Sequence, residues 1–138
     1  MNVKGMALCI FFLIALLSKY SNAGMSGYEC IVQQELHLTN EGELKPYPNP
    51  LQIGKHFSIH RETGTLVEST PSFWSPKDAK VLVHSKGNSE NGFVASYIAP
   101  AALGGVHITV LQIQEYEKGL MKPFMLTSGG GIYTGTCK

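Results

Sequence analysis

The residue type in this chain that most readily supports chemistry is histidine, present five times as His37, His56, His60, His84 and His107. Imidazole ligates zinc and exchanges protons near neutral pH. His56 and His60 share one face of the run His56-Phe57-Ser58-Ile59-His60-Arg61, which alternates polar and apolar residues as a half-buried strand does. On a strand, residues i and i+4 stand about 13 Å apart, too far to hold one ion between them. A metal site would need His37 or His107 brought in from neighbouring strands, so the spacing favours solvated or cross-strand polar histidines. No metal and no cofactor is implied.

Nucleophilic chemistry finds no better setting. The serines, Ser58, Ser96 and Ser128 among them, stand in no G-x-S-x-G context. Of the nearest acid pairs, Glu41/Glu43 and Glu115/Glu117 flank turns, where charges are expected to face water, and Glu62/Glu68 lie across a hairpin. Gly129-Gly130-Gly131 has no Lys-Ser/Thr pair and no helix after it, so it reads as a turn and not a phosphate loop. The sequence therefore names no catalytic residue.

Aromatic loops carry more weight. Phe73-Trp74, which holds the single Trp, lies between Pro71 and Pro76. Rings of that size either tuck into the core or meet a partner. Tyr47 sits in a second proline-rich loop, Lys45-Pro46-Tyr47-Pro48-Asn49-Pro50, and on the same rim it would complete a platform for stacking sugars or anchoring a protein. Tyr47, Phe73 and Trp74 are the expected ligand-binding residues.

The elements that must position these side chains are strands. Alternation and turn residues predict strands over Tyr28–Thr39, His56–Arg61, Thr65–Ser69, Ala79–Ser85, Gly92–Ala99, Val106–Tyr116, Leu120–Thr127 and Ile132–Cys137. Glu62-Thr63-Gly64 closes the clearest hairpin. The three prolines of 45–50 lack ladder donors and predict an extended crossing loop. In Val106–Tyr116 the apolar phase shifts from Val106, Ile108 and Val110 to Leu111 and Ile113, which predicts either two covered faces or a bulge near Val110.

Residues 1–23 read as a secretory signal peptide: Lys4, an apolar run from Met6 to Leu17, then Ser21-Asn22-Ala23 as a cleavage site. About a dozen apolar residues fall short of the roughly 20 that cross a bilayer, so no membrane span is expected in the mature form. The full chain has 138 residues, 11 Lys+Arg, 10 Asp+Glu and 3 Cys. Cutting after Ala23 removes Lys4, Lys19 and Cys9, leaving 115 residues, a formal charge of −1, and Cys30 and Cys137 near the two ends. A nearly neutral chain is a poor phosphate-tracking surface, which argues against nucleic acid as a partner. One exported pair of cysteines predicts one disulfide, and without a Cys-x-x-Cys spacing it predicts a structural one. Joining first and last strands implies a small antiparallel barrel or sandwich of about eight strands, forming a single all-β domain over 24–138.

A leader, an early Tyr28-Glu29-Cys30, about eight short strands and a late cysteine together resemble, in layout, small exported bacterial β-barrels such as the periplasmic lysozyme inhibitors. The Ser-Gly-x-x-Tyr inhibitory loop of those inhibitors is missing here, and Ser72-Phe73-Trp74 stands in place of the lipocalin Gly-x-Trp. The layout implies a fold and does not carry an activity. The sequence thus reads as a secreted or periplasmic, monomeric binding or inhibitor-type module for a protein or glycan partner. A small metal-dependent or hydrolytic enzyme is the second reading, and a structural envelope or matrix protein the third.

Overall fold

A computed structural model describes residues 26–138 apart from 70–73, 75, 77 and 102. The leader and Phe73 lie outside the described residues. Nine strands follow one another: β1 (Gly27–Leu38), β2 (Leu44–Pro46), β3 (His56–His60), β4 (Leu66–Glu68), β5 (Lys80–Lys86), β6 (Phe93–Pro100), β7 (Val106–Ile113), β8 (Lys122–Ser128) and β9 (Gly131–Cys137). Every pairing is antiparallel. Eight strands run in the order β4-β3-β1-β9-β8-β7-β6-β5, and β2 adds to β1 beside β3. The result is the expected all-β domain, realised as one curled sheet, a half-barrel, with β4 and β5 as its two edges.

The disulfide is where the two ends of the chain meet. Cys30 and Cys137 face each other directly in the β1–β9 ladder, with Cα atoms 4.0 Å apart and the S–S bond formed. Glu29 and Lys138, the next pair, exchange both backbone hydrogen bonds, at 3.0 and 2.9 Å. The cysteines therefore occupy the non-hydrogen-bonded position, where opposed side chains approach most closely. Both are buried among Val32, Phe57 and Phe124 in the core cluster.

Two β-bulges decide which side chains enter the core. Gln33 is an extra residue in β1, between Val32 opposite Gly135 and Gln34 opposite Thr134. Before it Tyr28, Cys30 and Val32 point inward; after it Glu35 does, and Leu38 is left on the exposed side. His84 is the corresponding extra residue in β5. The bulge expected near Val110 is not formed, because β6 and β7 pair without interruption from Phe93–Ile113 to Pro100–Val106. In β7 Thr109, Leu111 and Ile113 are buried and Val106, Ile108 and Val110 face outward and stay exposed, so neither expectation for this strand holds.

The proline-rich segment also differs from expectation. Leu44–Pro46 is a short edge strand on β1, and Pro46 stands opposite Leu36 at its end. A proline is tolerated at a strand's end and edge because its missing N–H faces no partner strand.

Side chains, not a ladder, hold the open side of the curl. Arg61, just after β3, reaches across to the β5–β6 turn: its Nε donates to the Lys86 carbonyl at 2.7 Å and Nη2 to the Gly87 carbonyl at 3.3 Å. The same guanidinium pairs with Glu115 at 2.7 Å and lies 5.2 Å from the centre of the Tyr28 ring. Glu115 is thus drawn inward to 17% side-chain exposure, which corrects the expectation that it faces water. Further along, the Tyr97 hydroxyl donates to the Gly64 carbonyl at 2.7 Å. Gly64 has φ +69°, and a Cβ there would lie 2.8–2.9 Å from Val83 and Val81, so the turn and the close approach both require glycine.

Candidate binding surface

Of the three residues expected to bind ligand, Trp74 is placed in the core. It is 1% exposed, with its ring 5.7 Å from Phe57 and 5.0 Å from Tyr133. Burying so large an apolar ring contributes about 3 kcal/mol, which a ring standing in water forgoes. The surface reading of Trp74 therefore gives way to a core plug. Tyr47 is at the surface, 45% exposed, with its ring edge-on to His37 at 5.3 Å. With Tyr47 at the surface and Trp74 in the core, those two rings do not form an exposed platform.

The histidines are dispersed. His37 lies on β1, His56 and His60 on the outer face of β3, His84 at the β5 bulge and His107 on β7. Among the described residues no three His, Cys, Asp or Glu side chains gather in a metal-binding group. Two Ser–His pairs that sequence spacing did not reveal do form. His84 Nε2 lies 2.8 Å from Ser96 Oγ, and His107 Nε2 lies 3.0 Å from Ser128 Oγ. Each spans a strand pairing, so only the sheet register could have found it. Thr109 Oγ1 joins the second pair at 2.9 Å from Ser128, and Ser128 and Thr109 are both buried. That cluster satisfies buried hydroxyls, which are costly to leave unpaired. It gives no substrate access to Ser128.

Glu35 is a further residue that spacing did not flag. Turned inward by the bulge, it is 7% exposed, and its Oε2 accepts the backbone N–H groups of Leu51 at 2.8 Å and Gln52 at 2.9 Å. It pins the loop between β2 and β3 to the sheet. Its role is to position that loop.

An open groove of about 900 Å³ lies on the outer face of β1, β3 and β4. Gly27 and Glu29 of β1, Ser58 and His60 of β3 and Val67 of β4 line it, with Thr63 and Thr65 at one end and Lys138 at the other side. The register places Glu29 opposite Ser58, Ser58 opposite Val67 and Gly27 opposite His60, so these residues share one face. A shallower depression of about 360 Å³ continues past Glu29, Ser58 and Val67 to His56 and Ser69. Gly27 is held to glycine because a Cβ would lie 2.1 Å from the Ile59 carbonyl oxygen. That close approach also leaves the floor beside His60 open.

Local hydrogen bonds orient the groove's imidazole. The Thr63 backbone N–H donates to His60 Nδ1 at 3.3 Å, and the Thr63 hydroxyl lies 3.1 Å from the same atom. An Nδ1 that accepts from a backbone N–H carries a lone pair, so the neutral ring holds its proton on Nε2. His60 thereby presents an N–H donor. Thr65 supports Thr63, with the two hydroxyls 2.8 Å apart and the Thr65 N–H donating at 3.2 Å. Glu29 and Lys138 pair at 3.3 Å, so these two side-chain charges offset each other. Nearby, the Lys86 ammonium donates to Glu62 and holds its carboxyl below the usual carboxylate range.

Fold and surface together define an antiparallel half-barrel, its first and last strands joined by a disulfide, with a filled core and an open, largely apolar groove edged by polar groups on its outside. A search of protein-family models, of curated proteins and of solved structures finds no match to this chain.

Proposed function

We propose that this protein is an exported binding domain that takes a neutral, hydroxyl-rich ligand, a segment of glycan, in the groove on β1, β3 and β4. The observation that carries the reading is the composition of that groove. The Glu29 carboxylate accepts, the His60 Nε2–H and Ser58 hydroxyl donate, and Val67 supplies an apolar patch between them. Sugar hydroxyls are donors and acceptors at once, and the C–H face of a ring suits a small apolar patch among polar groups. An open trough with a largely apolar floor and a few polar groups at its edge matches the C–H faces and hydroxyls of a glycan chain. The Cys30–Cys137 disulfide agrees with an oxidising, extracellular setting. The leader reading adds a secreted or periplasmic destination with cleavage after Ala23, which N-terminal sequencing of the exported protein checks.

Titration of the ¹⁵N-labelled protein with neutral trisaccharides, maltotriose and chitotriose, tests the binding reading. Amide shifts should concentrate at Ser58, His60 and Val67 and weaken in Glu29→Gln. Shifts that spread over the whole sheet, or that are unchanged in Glu29→Gln, would count against the groove.

A further inference from the structure

We infer that the outer face of the β6–β7 hairpin is a self-association surface whose occupant is a second copy of this chain. Val106, Ile108 and Val110 are 61%, 52% and 37% exposed on this face, and Leu103 at the hairpin tip is fully exposed. The register sets Pro100 opposite Val106 and Ile98 opposite Ile108, so the apolar patch extends on to β6. No Asp, Glu, Lys or Arg occurs from Phe93 to Ile113. Apolar patches of this extent on a small domain mark interaction sites.

Area and charge select the occupant. With fully exposed Leu, Ile and Val side chains at roughly 150–200 Å², these four offer roughly 450 Å² per copy; two apposed copies with Pro100 and Ile98 at the margin reach the ~1,000 Å² a specific interface needs. A patch whose centre carries no charge, with Lys80 only at its β5 margin, meets its own image across a two-fold axis without like-charge repulsion at its core, and the alternating outward side chains of two antiparallel hairpins interdigitate as stacked sheets do. A lipid surface is a poorer occupant, because interfacial binding draws on several Lys and Arg beside the apolar residues and this face has a single one at its margin, Lys80 opposite Ile98. The sequence by itself suggests a monomer, and for Val106–Tyr116 either two covered faces or a bulge; the exposed outer face of β7 is what the structure adds. The surface is separate from the groove and does not depend on the proposed ligand.

Sedimentation equilibrium of the full chain over a hundredfold range of concentration reads the inference directly. Wild type should show a reversible dimer that persists in high salt, and Ile108→Lys should weaken dimerisation at least tenfold while keeping the wild-type urea midpoint. Leu120→Lys, at a residue 93% exposed in the β7–β8 turn, should leave the dimer unchanged. If Ile108→Lys fails to fold, Val106→Lys takes its place. A chain that stays monomeric throughout, whether or not it binds phosphatidylcholine vesicles, overturns the inference, as does a dimer that survives both lysine substitutions on β7 or is lost equally in Leu120→Lys.

Discussion

Replacing Arg61 with Met tests how the curled sheet is closed, because no backbone ladder joins β4 to β5 and the guanidinium spans the gap. Three contacts are lost: a short hydrogen bond to the Lys86 carbonyl at 2.7 Å, a longer one to Gly87 at 3.3 Å, and the ion pair with Glu115. A charge-assisted hydrogen bond of good length contributes about 1.5 kcal/mol, and the longer one little. The ion pair is about four-fifths withdrawn from water, with side-chain exposures of 22% and 17%. Stranding a fully buried charge costs about 3–5 kcal/mol, so a site still touched by solvent warrants about 1.5–2. The loss should total about 3 kcal/mol. Urea unfolding followed by Trp74 emission is the assay, since the single Trp leaves a buried site on unfolding. With a urea slope of about 1.5 kcal/mol/M the midpoint should fall by about 2 M. Glu115→Gln in the Arg61→Met background should cost much less than in wild type, giving a coupling of about 1.5 kcal/mol. A loss under about 1 kcal/mol together with a coupling under about 0.5 would refute the reasoning and move closure to Tyr97, Gly64 and Trp74.

Two further outcomes follow from the core. The Cys30–Cys137 bond closes a separation of 107 residues, so the double Ala variant should lose about 4.7 kcal/mol on the chain-entropy model and melt roughly 20 °C lower by calorimetry. Burial pushes the Tyr97 phenol well above its ordinary value near 10, and burial raises Tyr133 as well, against a hydrogen bond from the Trp74 side chain. A phenol raised in the folded state contributes stability that is intact below pH 10 and is lost as pH climbs toward its folded value. Stability from urea titrations should therefore fall above pH 10 by up to about 1.4 kcal/mol per pH unit for each such tyrosine, and a flat profile between pH 10 and 12 would contradict the burial of Tyr97.

Strand positions were legible because each strand combines short-period alternation with glycine, asparagine or proline at its ends. The clearest case, His56–Arg61 returning through Thr65–Ser69, forms as β3 and β4. The groove was only partly legible. His56, Ser58 and His60 could be put on one outward face, but their neighbours Gly27, Glu29 and Val67 come from strands paired through long-range register. For Trp74 the sequence misled, because a proline-bounded Trp has the same local signature whether it faces solvent or plugs a core.

By itself the sequence determined the all-β class, the approximate strand set and the pairing of Cys30 with Cys137, since each rests on local pattern or on a count. Only the tertiary structure decided which face of each strand is inside. An inserted residue such as Gln33 reverses the inward phase without disturbing the local alternation, so Glu35 turns in and Leu38 out. The same long-range pairing buried Trp74, drew Glu115 to Arg61, and left Val106, Ile108 and Val110 in water. Burial depends on what packs against a residue from distant parts of the chain, and a local pattern carries no record of that.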